Sequence, residues 1–277
     1  MIHDRRGSGA PLLLIHGLGS HWQVWLPLLP LLSPHRDVIS VDLPGFGASP
    51  PWPPAAVPGP VPRPAPASPD GPGSVRHLAD QVEAFLDSLG LDTVEVGGSS
   101  MGGGIALELG RRGRARTVTA FSPIGFWPTG GGRWCRFIVT AARAGATALD
   151  PLLPRLMATP AGRAALCSIF YAHPGRLDRD ESLAAARALA AAPGFAAARS
   201  AFRRLTPWAA TDPGALPTIP VTIAWGTRDA VLPYRNQALR ARTALPAARH
   251  VPLPGCGHLP FPDAPAHCAD LLLHPAT

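Results

Sequence analysis

Three residues whose types suit acyl-bond hydrolysis occur along the chain in the order Ser100, Asp229, His258. A serine hydroxyl is a weak nucleophile until a base takes its proton, and an acid must orient that base. Ser100 is the centre of a G-x-S-x-G sequence that follows an apolar run and precedes a helical stretch. A sharp turn from strand to helix exposes the side chain at the top of a sheet. Ser100 is therefore the candidate nucleophile, with an ordinary glycine-rich turn as the alternative for the pentapeptide alone.

Asp229 and His258 are the candidate acid and base. Each comes just past the carboxyl end of a short apolar run that predicts a strand. Open α/β sheets place their sites at these strand ends. Either residue alone could be an ordinary loop residue, but their order and positions together favour a Ser-Asp-His catalytic triad.

An early glycine-rich loop, His16-Gly17-Leu18-Gly19, follows another apolar strand. Two backbone N–H groups are needed to hold the oxyanion of a tetrahedral intermediate. We assign them to Leu18 and to Met101, the residue after the serine. His16 precedes the serine in the chain and is interpreted as a structural residue that shapes the loop.

Apolar runs alternate with helical patterns, which predicts an α/β fold with a mostly parallel central sheet flanked by helices. Two regions interrupt the alternation. Residues 50–73 are dominated by proline and predict an extended surface loop, which could be shortened with little effect on stability. Residues 124–207 are rich in alanine and arginine and predict further helices. The predicted strands are near 11–15, 37–42, 93–98, 115–121, 219–225 and 248–253, and the predicted helices near 21–32, 74–89, 100–112, 234–244 and 263–273.

Taken together, these sequences resemble the α/β-hydrolase fold family, and within it the serine-nucleophile members with a helical cap. The resemblance implies a core formed by 1–123 and 208–277 and an inserted helical cap at 124–207 that roofs the pocket. The family commonly has two strands before the His-Gly loop, whereas this chain has room for little more than one, and the connection at 50–73 is longer than usual. The matching segments are His16–Gly19, Asp42-Leu43-Pro44-Gly45-Phe46-Gly47-Ala48-Ser49, Gly98–Gly103, Trp225-Gly226-Thr227-Arg228-Asp229 and Gly255-Cys256-Gly257-His258.

The implied activity is hydrolysis of a carboxylic ester or related acyl compound through an acyl-enzyme, without metal or organic cofactor. Family members that act on haloalkanes or epoxides carry Asp as nucleophile, and Ser100 argues against both activities. Carbon–carbon bond hydrolases of ring-cleavage products are a rival, but they usually have Trp directly after the catalytic His, where this chain has Leu259. Thioesterase, haloperoxidase-like and acyltransferase activities stay open, as does a non-catalytic ligand-binding role, because a fold does not imply a function.

The composition of the chain limits the classes of binding partner that we expect. The chain has 277 residues, no lysine and a formal charge of +7 from scattered arginines, without the interleaved aromatics of a nucleic-acid surface. The cysteines have no metal-site spacing, the N-terminus has no signal-peptide core, and no apolar run is long enough to span a membrane. We expect a cytoplasmic protein with a small apolar acyl substrate; the oligomeric state is left open. The aromatic residues expected in the cap or around the pocket are Phe126, Trp127, Trp134, Phe137, Phe170, Tyr171, Phe202 and Trp208.

Overall fold

The computed structural model describes residues 1–51, 70–128 and 132–275. These residues form a mostly parallel sheet in the order β1, β3, β2, β4, β5, β6, β7, in which only β1 is antiparallel to its neighbour. The predicted α/β class is therefore confirmed. The strands are β1 (His3–Arg6), β2 (Pro11–Ile15), β3 (Asp37–Val41), β4 (Val94–Ser99), β5 (Ala115–Phe121), β6 (Val221–Gly226) and β7 (Arg249–Leu253).

Helices cover both faces of the sheet, and a group of them lies between β5 and β6 in the chain. The helices are α1 (Leu29–Leu32), α2 (Val75–Ser88), α3 (Met101–Arg111), α4 (Arg133–Ala148), α5 (Leu153–Met157), α6 (Pro160–Cys167), α7 (Arg179–Ala191), α8 (Phe195–Ala201), α9 (Tyr234–Ala244) and α10 (Pro265–Leu273). None of the helices in the described ranges combines the length and apolarity that crossing a membrane requires.

Strand β2 shows how the core is built. Its side chains alternate between the two faces of the sheet, as the strand period of two requires. Leu13 and Ile15 belong to the buried cluster that contains α2 and α3 side chains, while Leu12 and Leu14 pack with Trp25 and with α10. A strand buried on both faces is almost wholly apolar, which is why this strand could be read directly from the sequence.

The sheet changes its direction of winding between β2 and β4. From β2 the chain crosses to β3 on one side, and from β4 it crosses to β5 on the other. Loops that leave two adjacent strands in opposite directions leave a crevice at the carboxyl ends of those strands. The loop that carries Leu18 and the turn that carries Ser100 border this crevice.

The expectation of little more than one strand before the His16 loop was wrong. Strand β1 precedes β2 and pairs antiparallel with β3, with His3 opposite Val41. Its sequence, His-Asp-Arg-Arg, has no apolar residue, so hydrophobic patterning carried no signal for it. Charged side chains are typical of an edge strand because they discourage further strand pairing.

The helix predicted over 21–32 is also not continuous. The structure has a 3₁₀ turn at Trp22–Trp25 and the short helix α1, with Pro27 between them. Proline lacks the N–H that a continuing helix would need at this point.

Helices α4 to α8 form what we call the helical insertion. It has a small apolar cluster of its own around Leu153, Met157 and Cys167. It also contacts the remainder of the chain, since Gly194 N–H donates to Gly45 C=O at 2.8 Å. The division of the chain at 124 and 207 stays a prediction. Residues 52–69, most of the predicted proline-rich loop, lie outside the described residues.

Candidate active site

Ser100 occupies a strained turn between β4 and α3, with φ 56° and ψ −113°. A non-glycine residue in such a conformation costs on the order of 1–3 kcal/mol and persists only where its surroundings hold it. Here the Ser100 N–H donates to Phe121 C=O at 2.9 Å, and Ser100 C=O accepts from Gly104 and Ile124, both at 3.1 Å. The end of β5 and the first turn of α3 therefore hold the backbone of the candidate nucleophile.

The glycines on either side of Ser100 are required by close backbone contacts. A Cβ atom on Gly98 would lie 2.2 Å from the carbonyl oxygen of Gly102, and one on Gly102 would lie 2.1 Å from that of Ile15. The small residues of the G-x-S-x-G sequence thus allow β2, β4 and α3 to approach one another closely.

Asp229 lies in the loop after β6 and is fully surrounded by donors. Its Oδ1 accepts from the N–H groups of Val231 at 2.9 Å and Leu232 at 2.8 Å. Its Oδ2 lies 2.8 Å from His258 Nδ1 and accepts from Trp225 Nε1 at 3.1 Å. A buried carboxylate is stable only when its lone pairs are satisfied in this way.

The contact with Asp229 decides which nitrogen of His258 carries the proton in its neutral form. An ionised carboxylate only accepts hydrogen bonds, so Nδ1 is the donor and Nε2 keeps a lone pair. The side chains of His258 and Asp229 are 4% and 0% exposed. A base with this tautomer in a dry environment is suited to take a proton from a hydroxyl.

The link from nucleophile to base is less direct. The hydrogen bonds within the described ranges include none from the Ser100 hydroxyl to the His258 ring. Catalytic hydrogen bonds are often longer without bound ligand and shorten in the complex. The contact between Ser100 and His258 stays a prediction.

Met101 directly follows Ser100 in the sequence, and Leu18 belongs to the early loop, which comes close to Ser100 at Gly17. A Cβ atom on Gly17 would lie 3.2 Å from Ser100 Cβ and 3.7 Å from Ser100 Oγ, so the early loop passes directly beside the serine. Within the part of the chain that the structure describes, neither the Leu18 nor the Met101 N–H donates to a protein acceptor. Two donors without protein acceptors beside a serine are what an oxyanion hole requires.

Both ring nitrogens of His16 are hydrogen-bonded to backbone groups, so His16 has no lone pair left for catalysis. Its Nε2 accepts from Leu43 N–H at 3.0 Å, so its Nδ1 must donate to Gly17 C=O at 2.7 Å. Burial lowers the pKa of His16 to about 4. These contacts agree with the interpretation of His16 as a structural residue.

Asp42, the first residue of another family-like segment, accepts hydrogen bonds from two separate parts of the chain. Its Oδ1 accepts from Trp22 N–H at 2.7 Å and its Oδ2 from Ala48 N–H at 2.8 Å. The Asp42–Ser49 loop thus anchors the chain that follows the Leu18 loop.

Cys256, two residues before His258, is not activated as a nucleophile. Burial raises the pKa of its thiol to about 11. It therefore stays protonated at neutral pH, whereas the thiolate is the reactive form.

A cavity of about 610 Å³ lies between the helical insertion and the 3₁₀ turn that follows the Leu18 loop. Its wall is mostly apolar and includes Leu18, Leu259 and Leu189. Neither Ser100 nor His258 is among the described residues that line it, but a chain neighbour of His258 and the candidate oxyanion residue Leu18 are.

The aromatic residues expected in or near the cap separate into three groups. Phe170 and Tyr171 line the cavity. Four buried ones belong to the core, and two are exposed on α4. The buried ones are Phe126, Trp127, Phe202 and Trp208, and the exposed ones are Trp134 and Phe137.

Two residues near the site were missed from the sequence. Trp225 was noted only as part of a family-like segment, yet its indole N–H reaches Asp229. Asp263 accepts from Gly257 N–H, directly before His258, at 3.0 Å. The only sequence signal for Asp263 is a carboxylate five residues after a candidate catalytic histidine.

The family model of the alpha/beta hydrolase family matches residues 12–271. The chain belongs to the alpha/beta hydrolase family. The matched range contains Ser100, Asp229, His258 and both candidate oxyanion residues. Membership supports an enzyme of the α/β-hydrolase type and leaves the reaction open.

Proteins similar to this chain differ in the activity that their names state. Epoxide hydrolase EphH of Mycobacterium tuberculosis is 32% identical over 206 residues, which is 70% of this chain and 91% of that protein. A thermophilic esterase from Thermogutta terrifontis superposes with a TM-score of 0.67 at 22% identity, covering 98% of this chain and 90% of that one. A meta-cleavage product hydrolase from Pseudomonas fluorescens superposes with a TM-score of 0.66 at 19% identity, covering 98% and 92%. At these identities the two structures show a common fold alone.

Proposed function

We propose that this protein is a serine hydrolase that cleaves a carboxylic ester or a related acyl compound through an acyl-enzyme. The observation that carries the proposal is the buried 2.8 Å contact between His258 Nδ1 and Asp229 Oδ2. It leaves Nε2 of the histidine as the acceptor, which is the arrangement that a general base for a serine needs.

In the proposed reaction, Ser100 Oγ attacks the substrate carbonyl carbon while His258 Nε2 takes the hydroxyl proton. Asp229 stabilises the imidazolium that results. The tetrahedral intermediate collapses, and His258 returns the proton to the departing alkoxide. Water then attacks the acyl-enzyme with His258 again as base, which releases the carboxylic acid and restores Ser100.

The N–H groups of Leu18 and Met101 would bind the oxyanion in both steps. Their value lies in being already oriented, because donors that need not rearrange stabilise the transition state at no further cost. Met101 is also the first residue of α3, so the positive end of the helix dipole faces the same charge.

We propose a small molecule with an apolar acyl part as the substrate. The cavity beside Leu18 and Leu259 is of a size that suits small organic ligands, and its wall is mostly apolar. The helical insertion supplies much of this wall and would act as the cap predicted from the sequence.

The name of the Mycobacterium relative raises the alternative of epoxide hydrolysis. Attack of a serine on an epoxide carbon forms an ether, which water does not hydrolyse, whereas an aspartate nucleophile forms a cleavable ester. Ser100 therefore favours acyl chemistry over epoxide opening.

Labelling with a fluorophosphonate probe tests the nucleophile. We expect wild type to be labelled and Ser100→Ala to lose both labelling and ester hydrolysis by several orders of magnitude, with its fold intact. Ser99→Ala is the matched control, because Ser99 is the adjacent serine, is buried and has no hydrogen-bond partner for its hydroxyl. Equal labelling of wild type and Ser100→Ala would remove Ser100 from its role, and no labelling of wild type would favour a non-catalytic ligand-binding protein.

A substrate panel separates the possible reactions. It contains p-nitrophenyl esters of graded acyl length, a thioester, a ring-cleavage dienoate and an aryl epoxide. We expect the highest kcat/KM on an ester with an apolar acyl chain. Preference for the dienoate would identify a carbon–carbon bond hydrolase instead, and turnover of the epoxide alone would contradict the proposal.

A further inference from the structure

A second carboxylate, that of Asp263, lies under the loop that carries His258. Its side chain is 4% exposed. Its Oδ2 accepts from the N–H groups of Gly257 at 3.0 Å and Ala172 at 3.2 Å. Its Oδ1 lies 3.0 Å from His173 Nδ1. One buried carboxylate therefore connects the loop of the candidate base to the helical insertion.

The chain on the other side of His258 is attached to the same part of the insertion. Leu259 N–H donates to Phe170 C=O at 2.9 Å. A Cβ atom on Gly257 would lie 2.7 Å from both the Phe170 oxygen and the Ala172 nitrogen, so the two segments pack backbone against backbone. The N–H groups of Gly257 and Leu259, the residues on either side of His258, are thus held by Asp263 and by Phe170.

The segment that holds the His258 loop is also part of the cavity wall. Phe170 and Tyr171 line the cavity, and so does Leu259. A displacement of this wall would therefore shift the peptide groups on both sides of His258.

We propose that Asp263 is a positioning residue that holds the His258 loop and the segment Phe170–His173 together. The position of His258 then depends on how the helical insertion packs over the cavity. This inference rests on the proposed function, because it assigns His258 the role of the base. An acyl chain packed against Phe170 and Tyr171 would then stabilise the productive position of His258.

Asp263 and Asp229 have separate tasks in this scheme. Asp229 contacts the imidazole ring and fixes which nitrogen of the neutral ring carries the proton. Asp263 contacts backbone N–H groups and sets where the loop lies. Without Asp263, the N–H groups of Gly257 and Ala172 would lose their acceptor, and the loop would be free to move. A displacement of about 1 Å can cost about 100-fold in rate.

Three substitutions at Asp263 test the proposal. Asp263→Ala removes the acceptor. Asp263→Asn keeps it, because the amide oxygen can face the two N–H groups and the amide nitrogen can face His173. Asp263→Glu keeps a buried carboxylate but adds a methylene that displaces the loop, and it provides the test should Asp263→Ala fail to fold. The control is Asp270→Ala, which breaks an Asp–His contact of 2.9 Å on the surface of α10.

The readouts are kcat and KM on the best ester, the rate of fluorophosphonate labelling, and amide hydrogen exchange over residues 168–175 and 254–262. We expect Asp263→Ala to lower kcat and the labelling rate by about 10- to 100-fold, with faster exchange in both segments and little change elsewhere. Asp263→Glu should lower kcat in the same way, Asp263→Asn should restore most of it, and Asp270→Ala should match wild type.

The proposal is overturned if kcat of Asp263→Ala and Asp263→Glu stays within about twofold of wild type, or if exchange rises in one segment without the other. Exchange that rises throughout the protein would assign Asp263 a purely structural role and also overturn it. The exchange experiment does not depend on turnover. If wild type is not labelled by the fluorophosphonate, the proposed function fails, while the exchange data still decide whether Asp263 couples the two segments.

Discussion

Trp225 and His258 contact the same oxygen of Asp229, at 3.1 Å from the indole nitrogen and 2.8 Å from the imidazole nitrogen. The indole N–H also lies 3.0 Å from Leu232 C=O. Trp225 therefore holds both the carboxylate and the loop that supplies the carboxylate with backbone donors. The orientation of the candidate acid depends on a residue of β6 rather than on the loop alone.

We expect Trp225→Phe to lower kcat by about tenfold and the free energy of unfolding by about 1–3 kcal/mol, because it leaves a buried acceptor without its donor. Ester kinetics and urea unfolding measure the two effects. Trp208→Phe is a matched control, since Trp208 also donates its indole N–H to a backbone carbonyl, that of Ile124, but away from Asp229. It should reduce stability without the same loss of kcat, and an equal loss in both variants would show that Trp225 has no special effect on Asp229.

Protein stability should fall in mild acid because of His16. Its pKa is about 4 in the folded protein and 6.5 is its ordinary value, so between these pH values the unfolded chain binds a proton that the folded chain does not. The stabilisation is complete above pH 6.5 and decreases as the pH falls to about 4, by about 3 kcal/mol in total. Burial also lowers the pKa of His21, which adds to the same slope.

Urea unfolding from pH 4 to pH 7 checks this prediction. His16→Gln removes the titrating group and should flatten the slope, even though its stability at pH 7 is lower. His35→Gln, at an exposed position, should leave the slope of wild type unchanged. If stability changed with pH equally in wild type and His16→Gln, the pH dependence could not be assigned to His16.

The contact between Gly19 and Leu189 determines how closely α7 approaches the loop that carries Leu18, a candidate oxyanion residue. Gly19 has φ +72°, and a Cβ atom there would lie 2.3 Å from Leu189 Cδ1. Gly19→Ala should therefore displace α7 and lower both kcat/KM and the melting temperature. In the double variant with Leu189→Ala, the steric part should be relieved, leaving a backbone cost of about 1–2 kcal/mol. A double-mutant cycle on kcat/KM measures the coupling, and strict additivity would contradict a direct contact.

Glu108 anchors the end of α3, and the turn that carries Ser100 is at the start of that helix. Its side chain is 3% exposed and accepts from Arg111 and Arg112, with contacts of 2.7 Å to each. Burial alone would raise the pKa of Glu108, but the two guanidinium groups outweigh it and the pKa is lowered.

We expect Glu108→Ala to reduce the free energy of unfolding by about 1–3 kcal/mol, because it removes the carboxylate that Arg111 and Arg112 share. Arg112 keeps its contacts with Asp80 and Glu83. Asp87→Ala breaks the exposed contact with Arg114 and should cost less than about 1 kcal/mol. Chemical denaturation of both variants tests the difference. A similar small loss in both would mean that the burial of Glu108 adds nothing to the ion pair.

The elements that could be predicted are those whose own residues carry a recognisable pattern. The buried strands such as β2 and β4 are apolar runs, and α2 and α3 follow the helical period, so they were located to within a residue or two. Strand β1 was missed because it is charged and is held by backbone pairing with β3, which no local pattern reveals. The helix predicted over 21–32 was interrupted because its prolines weigh against helix more than its apolar residues favour it.

By itself, the sequence determined the family, the class of sheet, and the placement of Ser100, Asp229 and His258 at strand ends. These follow from apolar periodicity and from glycines at tight turns, which are properties of short stretches of chain. Only the tertiary structure decided that Asp229 contacts the ring of His258 and that Asp263 accepts a hydrogen bond from Ala172, since these contacts join residues 29 and 91 positions apart. Contacts between distant segments depend on how the whole chain packs, and no local pattern of residues encodes that packing.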